Sequence, residues 1–160
     1  MPARPCGFWV DVTLQGEYEP SPAQWVRDQV EKYEASGGAE ANILRGHPEW
    51  PIVVITSRGA KSGKLRKNPV MRVEKDGVYA AVASQGGAPT NPTWYHNFVE
   101  HPQVDLQDGP EPHEYVARIA EGEERAEWWE RCVAQYAPYA DYQERTDRQI
   151  PVFLLERAAA

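Results

Sequence analysis

The run Gly59-Ala60-Lys61-Ser62-Gly63-Lys64-Leu65-Arg66-Lys67-Asn68-Pro69 stands between two apolar segments, residues 51–56 and 70–73. The segments predict two strands, so the run predicts a glycine-bearing loop that joins them. No Asp or Glu occurs between Trp50 and Val73, and like charges repel, so cations concentrated here in a chain of net charge -7 favour a polyanionic ligand. The window holds six of the 17 basic residues: Arg58, Lys61, Lys64, Arg66, Lys67 and Arg72.

Two other interpretations compete with an anion site in this loop. A solvated surface hairpin is the ordinary explanation of a charge run, and it stays open at this point. A Walker-type phosphate loop does not fit, because three residues rather than four separate Gly59 from Gly63, and Lys64 is followed by Leu65. A strand rather than a helix is predicted after the loop. Backbone amides beside the glycines could then face an anion.

Length and composition indicate an ordinary globular protein. At 160 residues and 41% hydrophobic content, one domain with a real core is expected, and the negative net charge argues against general nucleic-acid binding. Residues 1–6 lack the apolar segment of a signal peptide, and no run approaches the roughly 20 apolar residues of a membrane span. Cys6 and Cys132 form no redox spacing, and the four histidines form no ligand pattern. We therefore expect a cytoplasmic protein with no metal and no membrane association.

Capping and turn signals divide the chain into helices and strands. Ser21-Pro22 begins a predicted helix, with Trp25, Val30 and Tyr33 as its apolar residues, that ends at Gly37-Gly38. Asn91-Pro92 begins another, and Asp76-Gly77 is a strong hairpin signal. A later helix is predicted at residues 121–136 and a short helix or turn at 138–148, with a connector at 39–50. Strands are predicted at 51–56, 70–74, 78–84, 103–107, 113–120 and 151–156. Six mainly antiparallel strands with helices inserted at the edges predict a small α+β barrel.

The helix that starts at Pro92 is a second candidate anion site. Its first turn would offer unpaired amides at residues 93–95. Trp94, Tyr95 and Phe98 on this helix are equally consistent with core packing. No serine- or cysteine-hydrolase motif accompanies it.

Three motifs in this order carry a resemblance: Gly59–Pro69, residues 83–89 (Ala-Ser-Gln-Gly-Gly-Ala-Pro) and residues 92–97 (Pro-Thr-Trp-Tyr-His-Asn). With the later Tyr136, Tyr139, Asp141-Tyr142, Thr146-Asp147-Arg148 and Ile150-Pro151, they resemble the deazaflavin-dependent nitroreductase family of actinobacterial oxidoreductases. The similarity covers about residues 50–157. It implies a split β-barrel that binds a deazaflavin, over residues 46–157. Residues 1–45 would form an N-terminal extension with one helix.

The resemblance also implies the cofactor, coenzyme F420. This 8-hydroxy-5-deazaflavin carries a phosphate and an oligoglutamate tail, which would be the polyanion that the basic loop attracts. The family often has Arg at the place of Ala60 and Lys at the place of Gln85, so tail affinity is in question, although Lys64 and Lys67 are candidates to compensate. The implied coenzyme-binding residues are Ala60, Lys61, Ser62, Arg66, Lys67, Asn68, Pro69, Val70, Met71, Val82, Ala83, Ser84, Gln85, Gly86, Gly87, Thr93, Trp94, Tyr95, His96, Asn97 and Tyr139.

The implied activity is hydride transfer from the reduced coenzyme to an electron-poor acceptor, such as a quinone, nitroaromatic or activated alkene. Tyr136, Tyr139 and Tyr142 are spaced by three and would share one face of a helical turn. Core packing is the plain explanation of that face, and the resemblance instead favours a wall of the acceptor pocket. Tyr139, Ser84 and Tyr142 are then the candidate catalytic residues, and Met71, Tyr136, Tyr139 and Tyr142 the candidate substrate-binding residues.

Two rival functions remain open from the sequence. A split-barrel enzyme that uses FMN would need only one phosphate site, which leaves the long basic loop unexplained. A non-catalytic deazaflavin carrier would bind the coenzyme without turnover. The oligomeric state is open between monomer and homodimer.

Overall fold

The computed structural model describes residues 14–158, so Cys6 and the first part of the expected extension lie outside the described residues. In the described range the strands are β1 Ile43–Leu44, β2 His47–Arg58, β3 Leu65–Met71, β4 Val73–Lys75, β5 Val78–Val82, β6 Gln103–Gln107, β7 Pro112–Ile119 and β8 Val152–Arg157. The helices of the same range are α1 Gln24–Ala35, α2 Thr93–Glu100, α3 Gly122–Gln135 and α4 Pro138–Glu144, with a short 3-10 turn at Gln85–Gly87.

The strands form one curled antiparallel sheet. Its order is β1-β2-β6-β7-β8-β5-β4, and β3 pairs with β2 outside this path. Strands β2 and β3 pair from Ile52↔Met71 to Arg58↔Leu65, so residues 59–64 form the hairpin loop between them. The expected α+β split barrel is confirmed.

Both faces of the central strands are buried. Successive side chains of a strand point to opposite faces, so Val53 and Ile55 enter an inner cluster with Phe98 of α2, whereas Ile52 and Val54 pack on α1. Strand β8 behaves in the same way: Phe153 and Leu155 point inward, and Val152 and Leu154 pack with Trp128 and Cys132 of α3 and Tyr139 of α4. The apolar runs that predicted strands reflect this double burial.

The turn signals were read correctly at the β4–β5 hairpin. Asp76 and Gly77 have φ of 53° and 82°, and Lys75 pairs with Val78 across them. Positive φ at both central residues is the turn that matches the twist of the flanking strands.

Several expectations about element bounds were wrong. The expected connector at residues 39–50 contains β1 and the start of β2, and Arg66 and Lys67 belong to β3 rather than to the loop. Helix α1 begins at Gln24, with Ala23 rather than Ser21 as its N-cap. The Ala23 amide donates to the Ser21 hydroxyl (3.2 Å), so this hydroxyl bonds to the residue before the helix and does not cap the helix itself. Its buried residues are Val26, Val30 and Tyr33. Trp25, by contrast, is 50% exposed.

Helix α1 packs on the sheet through this buried stripe. Tyr33 is 1% exposed, and its hydroxyl donates to the Gln107 carbonyl (3.1 Å) and accepts from the Gly109 amide (2.9 Å). The helix therefore shares a core with β2, while the domain boundary at residue 45 stays a prediction. None of the helices in residues 14–158 is long and apolar enough to cross a membrane.

Candidate active site

The loop between β2 and β3 is held by its own backbone and by α2. The Gly59 amide donates to the Lys64 carbonyl (2.7 Å), and the Ala60 amide donates to Asn97 Oδ1 of α2 (2.9 Å). A Cβ at Gly59 would lie 2.7 Å from Ser62 Oγ and 3.2 Å from the Lys64 carbonyl oxygen, so a side chain there would displace the Ser62 hydroxyl. These contacts leave the amides of Lys61 and Ser62 without a hydrogen-bond partner in residues 14–158.

A cavity of about 370 Å³, which we call the anion cradle, lies between this loop and the N-terminus of α2. The Lys61 side chain is exposed there and forms no ion pair with any described residue. The Tyr95 amide bonds to the Pro92 carbonyl (3.0 Å), so the expectation of three unpaired amides is wrong for that residue. The lining residues are Glu19, Gly59, Ala60, Lys61, Ser62, Arg66, Thr93, His96 and Asn97.

Acids from elsewhere in the chain reach the basic run. Lys64 Nζ lies 3.6 Å from a Glu17 carboxylate oxygen, and Arg66 Nη1 lies 3.1 Å from Glu19 Oε1. Lys67 Nζ lies 2.5 Å from Glu34 Oε2. The acid-free window is thus neutralised in large part by tertiary contacts. Lys64 and Lys67, expected to compensate for Ala60 and Gln85, are already paired.

A second cavity of about 500 Å³, the aromatic cavity, lies on the other side of the α2 N-terminus. Pro92 and Trp94 face this cavity, whereas Thr93, His96 and Asn97 line the anion cradle. None of the residues from 14 to 158 that line it carries a charged side chain. Its lining residues are Trp25, Gln29, Leu44, Ile52, Pro69, Val70, Met71, Val82, Ser84, Gln85, Gly86, Pro92, Trp94, Tyr136, Tyr139 and Tyr142.

The three predicted tyrosines meet at one wall of the aromatic cavity. The rings of Tyr136 and Tyr139 lie 4.8 Å apart edge to face, and the hydroxyls of Tyr136 and Tyr142 are 3.1 Å apart. Burial, followed by the hydrogen bond to Tyr142, raises the pKa of Tyr136 to about 12. Tyr139 is 5% exposed, and burial raises its pKa well above the ordinary value. Tyr136 and Tyr139 therefore stay protonated near neutral pH, as hydrogen-bond donors.

The turn that follows Ser84 is shaped by close approach to α4. Gly86 and Gly87 have φ of 64° and 83°. A Cβ at Gly87 would lie 2.7 Å from the Tyr142 carbonyl oxygen and 3.0 Å from Tyr142 Cα. Ser84 itself is 8% exposed and lines the aromatic cavity.

Sequence reasoning assigned no role to Arg148, which holds the strand end and the turn after it. Its guanidinium donates to Asn91 Oδ1 (2.7 Å) and to the carbonyls of Ser84 (2.9 Å), Ala88 (3.0 Å), Thr90 (3.1 Å) and Ala83 (3.2 Å). Removal from water lowers the pKa of this Arg. The only sequence signal was its place in the Thr146-Asp147-Arg148 motif.

The aromatic cavity also has walls that were missed. Trp25 and Gln29 of α1, Leu44 of β1 and Ile52 of β2 line it, because α1 and β1 lie beside β2. Five predicted coenzyme-binding residues line neither cavity. They are Lys67, Asn68, Ala83, Gly87 and Tyr95.

The donor set fits a coenzyme that combines a planar ring with a phosphate. The ring needs an uncharged, aromatic slot, and the phosphate needs amides and cations, which the two neighbouring cavities offer separately. Within the described residues no group of three His, Cys, Asp or Glu side chains is arranged to hold a metal ion.

The split barrel and its two cavities fit an oxidoreductase that binds a coenzyme. The chain belongs to the F420H(2)-dependent quinone reductase family, whose model matches residues 25–157. This confirms the resemblance to deazaflavin-dependent enzymes, and the protein is an F420-dependent oxidoreductase.

Individual relatives agree with this family. An F420H(2)-dependent quinone reductase of Mycobacterium tuberculosis is 31% identical over 128 residues, which cover 78% of this chain and 85% of the relative. A solved F420-H2 dependent reductase is 54% identical with a TM-score of 0.63, covering 66% of this chain and 94% of that one. Another solved structure, described as a domain-swapped dimer, is 48% identical with a TM-score of 0.65, covering 85% of this chain and all 100% of that one.

Proposed function

We propose that the protein binds coenzyme F420 across both cavities and transfers its hydride to a quinone in the aromatic cavity. One observation carries this proposal: the N-terminus of α2 separates an uncharged aromatic slot from a cradle of amides and cations. Thr93 faces the cradle and Trp94 faces the slot, so a ring and its phosphate could be held one on each side. The family match supports the coenzyme's identity.

The coenzyme supplies the hydride when it is bound, and the chain supplies position and hydrogen bonds. In the cradle, Lys61 and the amides of Lys61 and Ser62 are proposed to hold the phosphate. In the slot, an acceptor oxygen that gains negative charge needs a hydrogen-bond donor. Tyr139, Ser84 and Tyr142 are the proposed donors, and Met71 and Tyr136 would contact the acceptor with them.

The remaining predicted residues follow the same division. Ala60, Arg66, His96 and Asn97 are proposed on the phosphate side, and Pro69, Val70, Val82, Gln85 and Gly86 on the ring side. The uncharged walls also suit nitroaromatics and activated alkenes, because planar, electron-poor molecules stack on aromatic side chains. Those acceptors are proposals to be tested beside quinones.

The test is a fluorescence titration of the purified protein with coenzyme F420 and, separately, with FMN. We expect the deazaflavin to bind more tightly, and tighter binding of FMN would overturn the assignment. Turnover of the reduced coenzyme with menadione separates an enzyme from a carrier, since a carrier would bind but show none.

A charge variant locates the phosphate within the cradle. Lys61→Ala should weaken F420 binding, and salt should weaken binding to the wild type, because exposed charges are screened. Lys75→Ala is the matched control, since Lys75 is also exposed but lies on the β4–β5 hairpin. An equal loss in both variants, or none in Lys61→Ala, would remove the loop from the site.

Two further expectations stay predictions with simple tests. Light scattering of the purified protein decides between monomer and homodimer, a choice made sharper by the relative described as a domain-swapped dimer. Fractionation of cells that express the chain tests the expected cytoplasmic location.

A further inference from the structure

Residues 17–19, Glu-Tyr-Glu, lie against the start of β3; we call them the acidic segment. The Leu65 amide donates to the Glu17 carbonyl (2.7 Å), and the Glu19 amide donates to the Leu65 carbonyl (2.9 Å). Tyr18 pairs with Leu65 as an isolated parallel bridge. The backbone therefore fixes where the two carboxylates of this segment can reach.

Both carboxylates reach the basic run. Glu17 lies 3.6 Å from Lys64, and Glu19 lies 3.1 Å from Arg66. Tyr18, the residue between Glu17 and Glu19, also contacts the basic run, because Lys67 Nζ lies 5.0 Å from the centroid of its ring. Glu19 alone of the two acids also lines the anion cradle.

The charges of the basic run nearly cancel in the folded protein. Residues 59–67 carry four cations, three of which face the carboxylates of Glu17, Glu19 and Glu34. Lys61 is the cation of these four that has no ion pair among residues 14–158. An incoming polyanion therefore meets one unpaired cation rather than four.

We propose that the acidic segment is a built-in competitor for the oligoglutamate tail of the coenzyme, with Glu19 as the residue that lowers the affinity for the tail. This inference rests on the proposed coenzyme site. A tail carboxylate that pairs with Arg66 must displace Glu19 or lie beside it against like-charge repulsion. Exposed ion pairs contribute little to stability, so a tail carboxylate can replace Glu19 beside Arg66. The replacement adds little to the affinity, because one exposed ion pair is exchanged for another. The site then selects for the ring and phosphate and is nearly indifferent to tail length.

The test uses Glu19→Gln and the double variant Glu17→Gln/Glu19→Gln, each titrated with two ligands. One is coenzyme F420 with its oligoglutamate tail, and the other is the same deazaflavin with its phosphate but without the glutamates. We expect the variants to bind the tailed coenzyme about three- to tenfold more tightly, the range that removal of one or two exposed like charges produces, and the affinity for the phosphate-bearing form without glutamates to change much less. The salt dependence of tailed binding should also steepen, because freed cations attract more strongly at low salt.

The control is a charge-neutralising substitution at an exposed glutamate far from the basic run. Glu127→Gln makes the same charge change at an exposed position of α3 and should alter neither affinity. Unchanged tailed binding in Glu19→Gln, or an equal change for both ligands, would overturn the competitor role while leaving the coenzyme site in place. Wild-type protein that binds neither ligand would overturn the proposed function and this inference with it. If the double variant fails to fold, Glu19→Gln alone decides, since it keeps the Glu17–Lys64 ion pair.

Discussion

Substitution of Gly87 by Ala should destabilise the protein, because it disrupts the contact between the turn at Gln85–Gly87 and α4. Gly87 has φ of 83°, a left-handed conformation that costs a residue with a Cβ roughly 1–2 kcal/mol. The new methyl group would also lie 2.7 Å from the Tyr142 carbonyl oxygen and 3.1 Å from Arg145 Cβ. Both neighbours belong to α4 or its C-cap, so relief of the overlap must move that helix.

The expected loss is the sum of these two effects. Overpacking of a tight contact typically costs about 1–3 kcal/mol, which brings the total to roughly 2–5 kcal/mol. Gly86→Ala isolates the backbone effect, because Gly86 also has a positive φ, 64°, but a Cβ there would meet nothing within 4 Å. The difference between the two variants should therefore be about 1–3 kcal/mol.

Guanidinium denaturation measures both changes in the free energy of unfolding, with equal m-values as the sign that the unfolded states are comparable. The movement of α4 should also raise the KM for menadione in Gly87→Ala, because Tyr139 and Tyr142, which line the aromatic cavity, belong to that helix. Equal stabilities of the two variants, within about 0.5 kcal/mol, would refute the close approach as the reason for glycine at position 87.

Three other predictions concern the same cavity. Arg148→Gln should destabilise the fold by at least about 2 kcal/mol and weaken coenzyme binding, because the Arg148 hydrogen bonds hold the segment that begins at Ser84. Arg145→Gln is the control, since Arg145 makes a long bond of 3.4 Å to the Gly86 carbonyl. Tyr139→Phe should lower kcat/KM with menadione about 30- to 150-fold, or roughly 2–3 kcal/mol, with nearly unchanged coenzyme affinity; wild-type kinetics in it and in Tyr142→Phe would contradict a hydroxyl donor. Ionisation of the cavity tyrosines should not lower turnover between about pH 6 and 9, since burial raises the pKa of Tyr136 to about 12, and stability should fall above about pH 10, where tyrosines of the unfolded chain ionise first.

Capping and turn residues predicted where most helices and strands occur, but they could not predict contacts between residues that are far apart in the sequence. Asp76-Gly77 specifies its turn through backbone preferences alone, so the sequence suffices there. The pair between Arg66 and Glu19 spans 47 residues, and nothing in either neighbourhood indicates it. Trp25 shows the same limit: its helix was predicted, but the half-exposed ring reaches the aromatic cavity only because α1 packs on β2.

The two departures from the family pattern and the acidic segment act in the same direction. Ala60 lines the anion cradle and Gln85 lines the aromatic cavity, and both side chains are uncharged. Glu19 then pairs with Arg66, one of the remaining cations beside the cradle. With the coenzyme bound as proposed, all three features would reduce the attraction for its tail. Affinity must therefore come mainly from the aromatic slot and the single phosphate, since screened, exposed charges add little. The weakening of coenzyme binding by salt in the wild type should accordingly be small, and introducing a cation with Ala60→Arg should make it larger.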